Sequence, residues 1–324
     1  MIAIVLIAIA AGCASALMFA SMMSGALISL LLVYLAPLPL MVAALGWGPL
    51  SATIGGIGAA TALGAIFNLP YCVAFAVTVA LPAWWLGHLA LLGRSPTHGA
   101  ASGNGAAPAT PDLEWYPIGR ILLWLSGLAT LITMTTLFAI GIDAASITDG
   151  LRQGWLMILG RREGAATGEI EQLVDALVTI TPAAAAMVLM MTLTLNLWLA
   201  AKITATSGRL HRPWPDLKST ALPLLTLAAL CVVIAFCFVG GLPAIVAQTV
   251  TTALMMAYAL TGFAVLHTLT LALKSRAFWL SCTYVIVVLF VWPVVAMTAL
   301  GLADAIFGLR QRFLQGRPPP LPTS

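Results

Sequence analysis

From Met1 to Gly93 the chain contains no Asp, Glu, Lys or Arg. A water-soluble domain is typically about one quarter charged, so a stretch this long without a charge cannot cover itself with a hydrated surface. The rest of the chain relaxes the constraint only a little. Over 324 residues, 61% are hydrophobic and 7% charged, and mean hydropathy is +1.06. A membrane-spanning helix needs roughly twenty apolar residues. Backbone groups in lipid must be satisfied internally, which leaves helices or closed barrels. Barrel strands alternate over short segments, whereas the runs here are long and apolar on every face. The sequence therefore predicts an all-α, polytopic helical membrane protein with about eight or nine transmembrane segments. The net charge of +4 falls in loops and tail, where it reads as membrane orientation rather than nucleic-acid binding.

Nine apolar segments can be drawn, at 2–21, 24–46, 49–67, 70–92, 118–142, 181–204, 221–240, 243–272 and 277–302. The first has no basic leader and is followed at once by another apolar run, so it reads as a retained span rather than a signal peptide. Residues 93–117, rich in Ala, Gly, Ser and Pro, read as a flexible linker. They divide a membrane half at 1–92 from a second at 118–303, with a tail at 304–324. The five cysteines all fall in apolar runs without metal spacing, which predicts buried small apolar residues and no metal site.

Basic residues in short loops set orientation. Lys202, Arg209, Arg212 and Lys218 against Asp216 mark one loop as cytoplasmic, and Lys274 with Arg276 mark a second. Counting spans puts the N-terminus and the linker on that side too. Arg310, Arg312 and Arg317 disagree, because they fall outside if 277–302 crosses once; a break at Pro293 would change the count. The polar region 143–180 is expected outside. There Ile170, Leu173, Val174 and Leu177 recur at helical spacing beside Glu169, Glu171 and Asp175, and Trp155 to Leu159 form a second apolar patch. These read as short amphipathic helices on the bilayer, capped by Thr167 or Gly168, or as a lid over an outward cavity.

Residues 35–60, LAPLPLMVAALGWGPLSATIGGIGAA, combine apolarity with helix-weakening residues. Pro37 and Pro39 remove helix donors, which lipid tolerates only where neighbours repair the loss or a cavity is lined. The small residues are ordered. Ala52, Gly56, Ala60 and Gly64 recur every four positions, with Ser51, Gly55 and Ala59 beside them; Ala8, Gly12, Ala16 and Ala20 form a stripe in the first segment. Small residues at this spacing let helices approach closely. They serve internal packing, or one stripe docks a second membrane protein.

A first helix with such a stripe, a PLPL–apolar–LGWGP turn and a glycine-rich helix resemble the substrate-capture (S) components of energy-coupling-factor transporters. The chain is more closely similar to the YybS-like bacterial membrane proteins (domain of unknown function 2232). LTLNLWLAAKITATSGRLHRPWPDL, AYALTGFAVLH and GLADAIFGLR carry that likeness in the second half. The resemblance implies a multi-pass protein of the bacterial inner membrane with a transport-related role, a small-molecule ligand and possible coupling to another membrane protein. It transfers no site residue.

Polar groups at membrane depth are the remaining candidates. Asn196 lies well inside the sixth segment, and Gln248, Thr249, Thr251 and Thr252 cluster early in the eighth. With Pro37 and Pro39 they compose an expected outward ligand cavity; the alternative is that they bond neighbouring or own helices. His267 reads as an interfacial hydrogen bonder, and Asp304 with Arg310 as a helix-end anchor. HExxH, GxSxG and GK[ST] phosphate-loop signatures are absent, and no acid pair lies within the spans. No cofactor is implied. The expectation is a non-enzymatic membrane protein that binds a small molecule, the alternative being a membrane scaffold or assembly factor.

Overall fold

A computed structural model of the chain describes residues 1–94, 113–160, 168–215, 220–290 and 292–315. Most of the expected linker, the Thr167 cap, Asp216, Lys218 and Arg317 lie outside them. The described residues are helical apart from turns and one two-residue strand pair, and they form two compact units. Residues 1–117 and 191–214 make the first; residues 118–190 and 215–324 make the second. The first unit thus takes in 191–214 as well as the 1–92 half drawn from sequence.

In the first unit, α1 (Ile2–Ala20) precedes α2 (Leu27–Leu35) and α3 (Pro37–Trp47), which share the second apolar segment. The division follows from proline chemistry. Pro37 has no N–H for the carbonyl of Val33, which accepts instead from Ala36 at 3.1 Å. Gly48, at φ +92°, makes the turn into α4 (Pro49–Ile66). The fourth segment is α5 (Leu69–Phe75), a π turn over Ala76–Ala80 and α6 (Leu81–Ala90). The wide turn precedes Pro82, whose ring would collide with the carbonyl four residues back in a regular helix. Strands β1 (Gly93–Arg94) and β2 (Glu114–Trp115) pair antiparallel at the unit's end. The loop after the sixth segment folds back there. Arg212 donates to the carbonyls of Ala90 (3.2 Å) and Tyr116 (2.9 Å), while Arg209 stacks on Trp47 and Lys202 on Trp214.

The second unit holds α7 (Ile118–Ile140), α8 (Ala144–Ile158), the first part of α9 (Gly168–Thr206), α10 (Leu225–Phe236), α11 (Gly241–Leu269), α12 (Arg276–Leu289), α13 (Pro293–Phe307) and α14 (Leu309–Gln315). Helix α11 is its axis and packs against α7, α10 and α13. Helix α8 closes one end. Its Ile147 joins Met134 and Leu137 of α7, and its Leu156 joins Val174 and Val178 of α9. Trp155 Nε1 donates to Thr181 Oγ1 at 2.9 Å, and Arg152 pairs with Asp175 at 2.9 Å.

Four expectations change. The amphipathic stretch at 169–177 is not a separate surface helix. It is the start of α9, which runs unbroken through Pro182 for 39 residues. At 1.5 Å per residue that is about 58 Å, against a hydrocarbon core of roughly 30 Å, so an amphipathic end projects beyond the bilayer. The segment 221–240 yields only a 12-residue helix, which ends at Phe236; Gly240 and Gly241, at φ +82° and +61°, make the turn into α11. The segment 277–302 divides at Pro293 into α12 and α13. Among the described residues, seven helical stretches are long and apolar enough to cross, or eight if α13 and α14, bent by 66°, count as one. The cysteines are not core residues either: Cys13 and Cys231 are exposed and the others half-buried, as apolar side chains facing lipid would be.

The division at Pro293 reverses the chain. Along α12, Arg276 reaches the carbonyl of His267 and Tyr284 meets His267 and Phe263, so α12 runs back along α11. Along α13, Thr298 donates to the carbonyl of Met255 and Gly301 lies on Tyr258 and Thr261, so α13 runs with α11. Helices α12 and α13 form a hairpin, and Arg310 and Arg312 return to the end that carries Lys274 and Arg276. The disagreement of the tail with the basic-loop rule disappears.

Candidate functional site

Asn196 reaches the backbone just before the proline break, within the first unit, by a hydrogen bond. Asn196 is fully buried, and its Nδ2 donates at 2.8 Å both to Thr192 in its own helix and to the carbonyl of Tyr34. Tyr34 stands beside the break that Pro37 and Pro39 force on the second segment. The prolines withhold donors from the carbonyls of Val33 and Leu35, and the amide bonds the carbonyl between them, so a side chain of another helix serves the interrupted turn, as lipid-embedded breaks require. Its Oδ1 is buried without a partner. Pro37 is buried, and Pro39, two residues further along α3, is half-buried.

Gln248, Thr249 and Thr252 belong to the second unit, so the two parts of the expected site are described apart. Thr249 Oγ1, fully buried, donates to the carbonyl of Ile245 one turn back, and Thr251 Oγ1 faces Cys237 Sγ at 3.6 Å. Gln248 and Thr252 are half-buried on α11. The hydroxyl of Thr249 is thus used within its own helix.

The small residues of the first unit build its interior. A Cβ on Gly12 would lie 2.9 Å from the carbonyl carbon of Gly55, and one on Gly55 would lie 3.2 Å from that of Ala8. Gly56 faces Ala80 at 3.1 Å and Gly64 faces Cys72 at 2.9 Å. The buried line on α1 is Ala8, Gly12, Ser15 and Phe19. Ala16 and Ala20, expected on the same face, are half-buried beside it, because the helix repeat of 3.6 drifts from a spacing of four.

A site that sequence reading treated only as an anchor lies at the α13–α14 bend. Gly308, in the left-handed region at φ +63°, ends α13 and turns the chain by 66°. Across the turn Arg310 donates its backbone N–H to Asp304 Oδ1 at 2.9 Å. Its Nε and Nη2 donate to Oδ2 at 2.9 and 2.7 Å. Both side chains are more than nine-tenths buried. Such a pair is costly to desolvate and is retained only with its hydrogen bonds made, as here. The pair borders a cavity of about 1020 Å³, lined also by Tyr258, Thr261, Ala221, Leu222 and the residues of α14.

Two glycines hold the cavity's helices together. A Cβ on Gly262 would lie 2.8 Å from the carbonyl carbon of Met297. One on Gly301 would lie 2.9 Å from that of Tyr258 and 2.8 Å from Thr261 Oγ1. Neither glycine sits in a repeated small-residue stripe, so spacing gave no signal; proximity of the AYALTG and ALGLAD segments appears only in the fold.

The fold defines a polytopic all-α membrane protein with a broken helix and a buried ion pair beside a cavity. Residues 158–305 match the family described as Predicted membrane protein (DUF2232). That region contains the whole of α9 to α12, and α13 as far as residue 305, Asp304 included. No curated protein and no solved structure matches the chain.

Proposed function

We propose that this multi-pass membrane protein binds a small molecule, in a transport-related and non-catalytic role, at the cavity beside the α13–α14 break. The observation that carries the proposal is the Asp304–Arg310 pair, buried at 9% and 5% exposure on the wall of that cavity. A buried ionisable pair on the wall of a cavity is a functional candidate in a chain this apolar. Breaks between helices are places where transporters commonly hold ligands. The transport-related part of the proposal comes from the resemblance to S components drawn from the sequence motifs; the family matched over 158–305 is described as a predicted membrane protein. The end bearing Arg120, Lys274, Arg276, Arg310 and Arg312 is the cytoplasmic one by the basic-loop rule.

The internal use of Gly12 removes the reason for giving the first helix a docking role, and it weakens the scaffold alternative. The test is native mass spectrometry of the protein purified in mild detergent, with and without a bulky block, Ala305→Trp or Ala221→Trp. A small molecule should accompany the parent chain and be absent from a block variant that retains its thermal transition. An empty parent chain, or a molecule that survives both blocks, overturns the reading.

A further inference from the structure

We infer that the cavity takes an anionic amphiphile: a phosphate or carboxylate head carried on an apolar chain. This rests on the binding role just proposed and names its ligand class. The charge inventory of the wall decides the sign. Asp304 is the acidic residue among the lining residues, and both of its oxygens are occupied by Arg310, Oδ1 by the backbone N–H and Oδ2 by two guanidinium donors. A carboxylate saturated in this way offers little to a cation. The pair is neutral as a unit, so Arg312 leaves the wall with a surplus positive charge. Gln311 and Gln315, on the same short helix, add amide donors. A guanidinium is the side chain best shaped to grip a phosphate or carboxylate.

Part of the lining is apolar: Leu222, Leu224, Ile306 and Phe307 belong to it, and Leu224, Ile306 and Phe307 are largely exposed, at 79%, 58% and 55%. A small hydrophilic anion would leave these groups unused. An acyl chain would cover them while its head met Arg312. The position fits as well. The cavity lies at the basic end of the second unit, level with the start of α7, since Ala221 lies against Gly119. Anionic headgroups and basic residues meet at such an end. The amphiphile can come from the leaflet or from solution, and both sources present the same head and chain.

Four probes separate the possibilities, each added to the full chain in maltoside micelles and read by native mass spectrometry. They are phosphatidylglycerol, phosphatidylcholine, decyl phosphate and inorganic phosphate. The anionic amphiphiles should bind and inorganic phosphate should not. Arg312→Gln should weaken the anionic probes about tenfold, the scale of one charged hydrogen bond, and leave the thermal transition in place. Arg312→Lys should restore most of the binding. Retention of phosphatidylglycerol but not decyl phosphate identifies a leaflet lipid; the reverse identifies a diffusible ligand; both keep the inference. Equal binding of phosphatidylcholine and phosphatidylglycerol, or no effect of Arg312→Gln, overturns the anionic class. If that equal binding is lost in Ala305→Trp, the cavity's binding role survives and only the class falls. If no probe responds to Ala305→Trp, both fall.

Discussion

Replacing Gly301 by Ala tests whether the α11–α13 contact is as close as the structure places it. The added Cβ would lie 2.9 Å from the carbonyl carbon of Tyr258 and 2.8 Å from Thr261 Oγ1. Non-bonded carbons prefer roughly 3.5–4.0 Å. The shortfall of about 0.6–1.1 Å falls on backbone and on a hydroxyl already bonded to Tyr258. Neither can swing aside as a flexible side chain would, so the helices must separate. Overpacking of this kind costs about 1–3 kcal/mol. Gly→Ala also favours a helix by up to ~1 kcal/mol, which would mask part of the loss. Gly127→Ala controls for that gain, because nothing lies within 4 Å of its added Cβ. The difference between the two variants is then the clash alone, about 1–3 kcal/mol. Unfolding by sodium dodecyl sulfate in mixed micelles, followed by circular dichroism, measures it. Equal midpoints for Gly301→Ala and Gly127→Ala would refute the close approach and, with it, the packing that frames the cavity.

Asn196→Leu removes the donor to Tyr34; loss of such a bond averages about 0.6 kcal/mol in membrane bundles. It should therefore loosen protection of the amides of residues 33–36 and 38 in hydrogen exchange while leaving probe binding at the 304–315 cavity unchanged. Loss of that binding would show that Asn196 serves the ligand. Topology is checked with single cysteines in intact cells. Thr148→Cys should react with an impermeant maleimide, and Ser275→Cys and Gln315→Cys should not; opposite behaviour of the last two would dissolve the α12–α13 hairpin. Asp143 caps α8, accepting from Ser146 N at 2.8 Å. Chiefly that bond, aided by the Ser146 hydroxyl and the Ala145 N–H and opposed by desolvation, holds its carboxyl below the ordinary value of 3.8. A depressed pKa stabilises the cap above the unfolded value and ceases to do so as pH falls through the folded one. Fraying of α8 should therefore begin only on the acid side of 3.8, and Asp143→Asn should flatten that dependence.

The class of this protein was written in its solvent preference. A chain without a charge to Gly93 must bury itself in lipid, and only helices satisfy the backbone there. Boundaries set by local chemistry were legible too: Pro37 and Gly48 fall where α3 starts and stops because proline lacks a donor and glycine admits positive φ. The Asp304–Arg310 pair was legible as a helix-end anchor because its partners are six residues apart. What the sequence left open depended on contacts between distant segments. Asn196 could have faced a ligand or a helix, and only the fold brings it to the proline break at Tyr34. Ala8 and Gly12 could have faced lipid, a partner or α4. The order of Gly262 and Gly301, and the reversal at Pro293 that carries the terminal arginines back to the basic end, follow from packing against α11. Hydropathy reports that a segment leaves water. It cannot report which apolar face meets which, because in lipid every such face is equally content until side-chain shapes and buried hydrogen bonds choose between them.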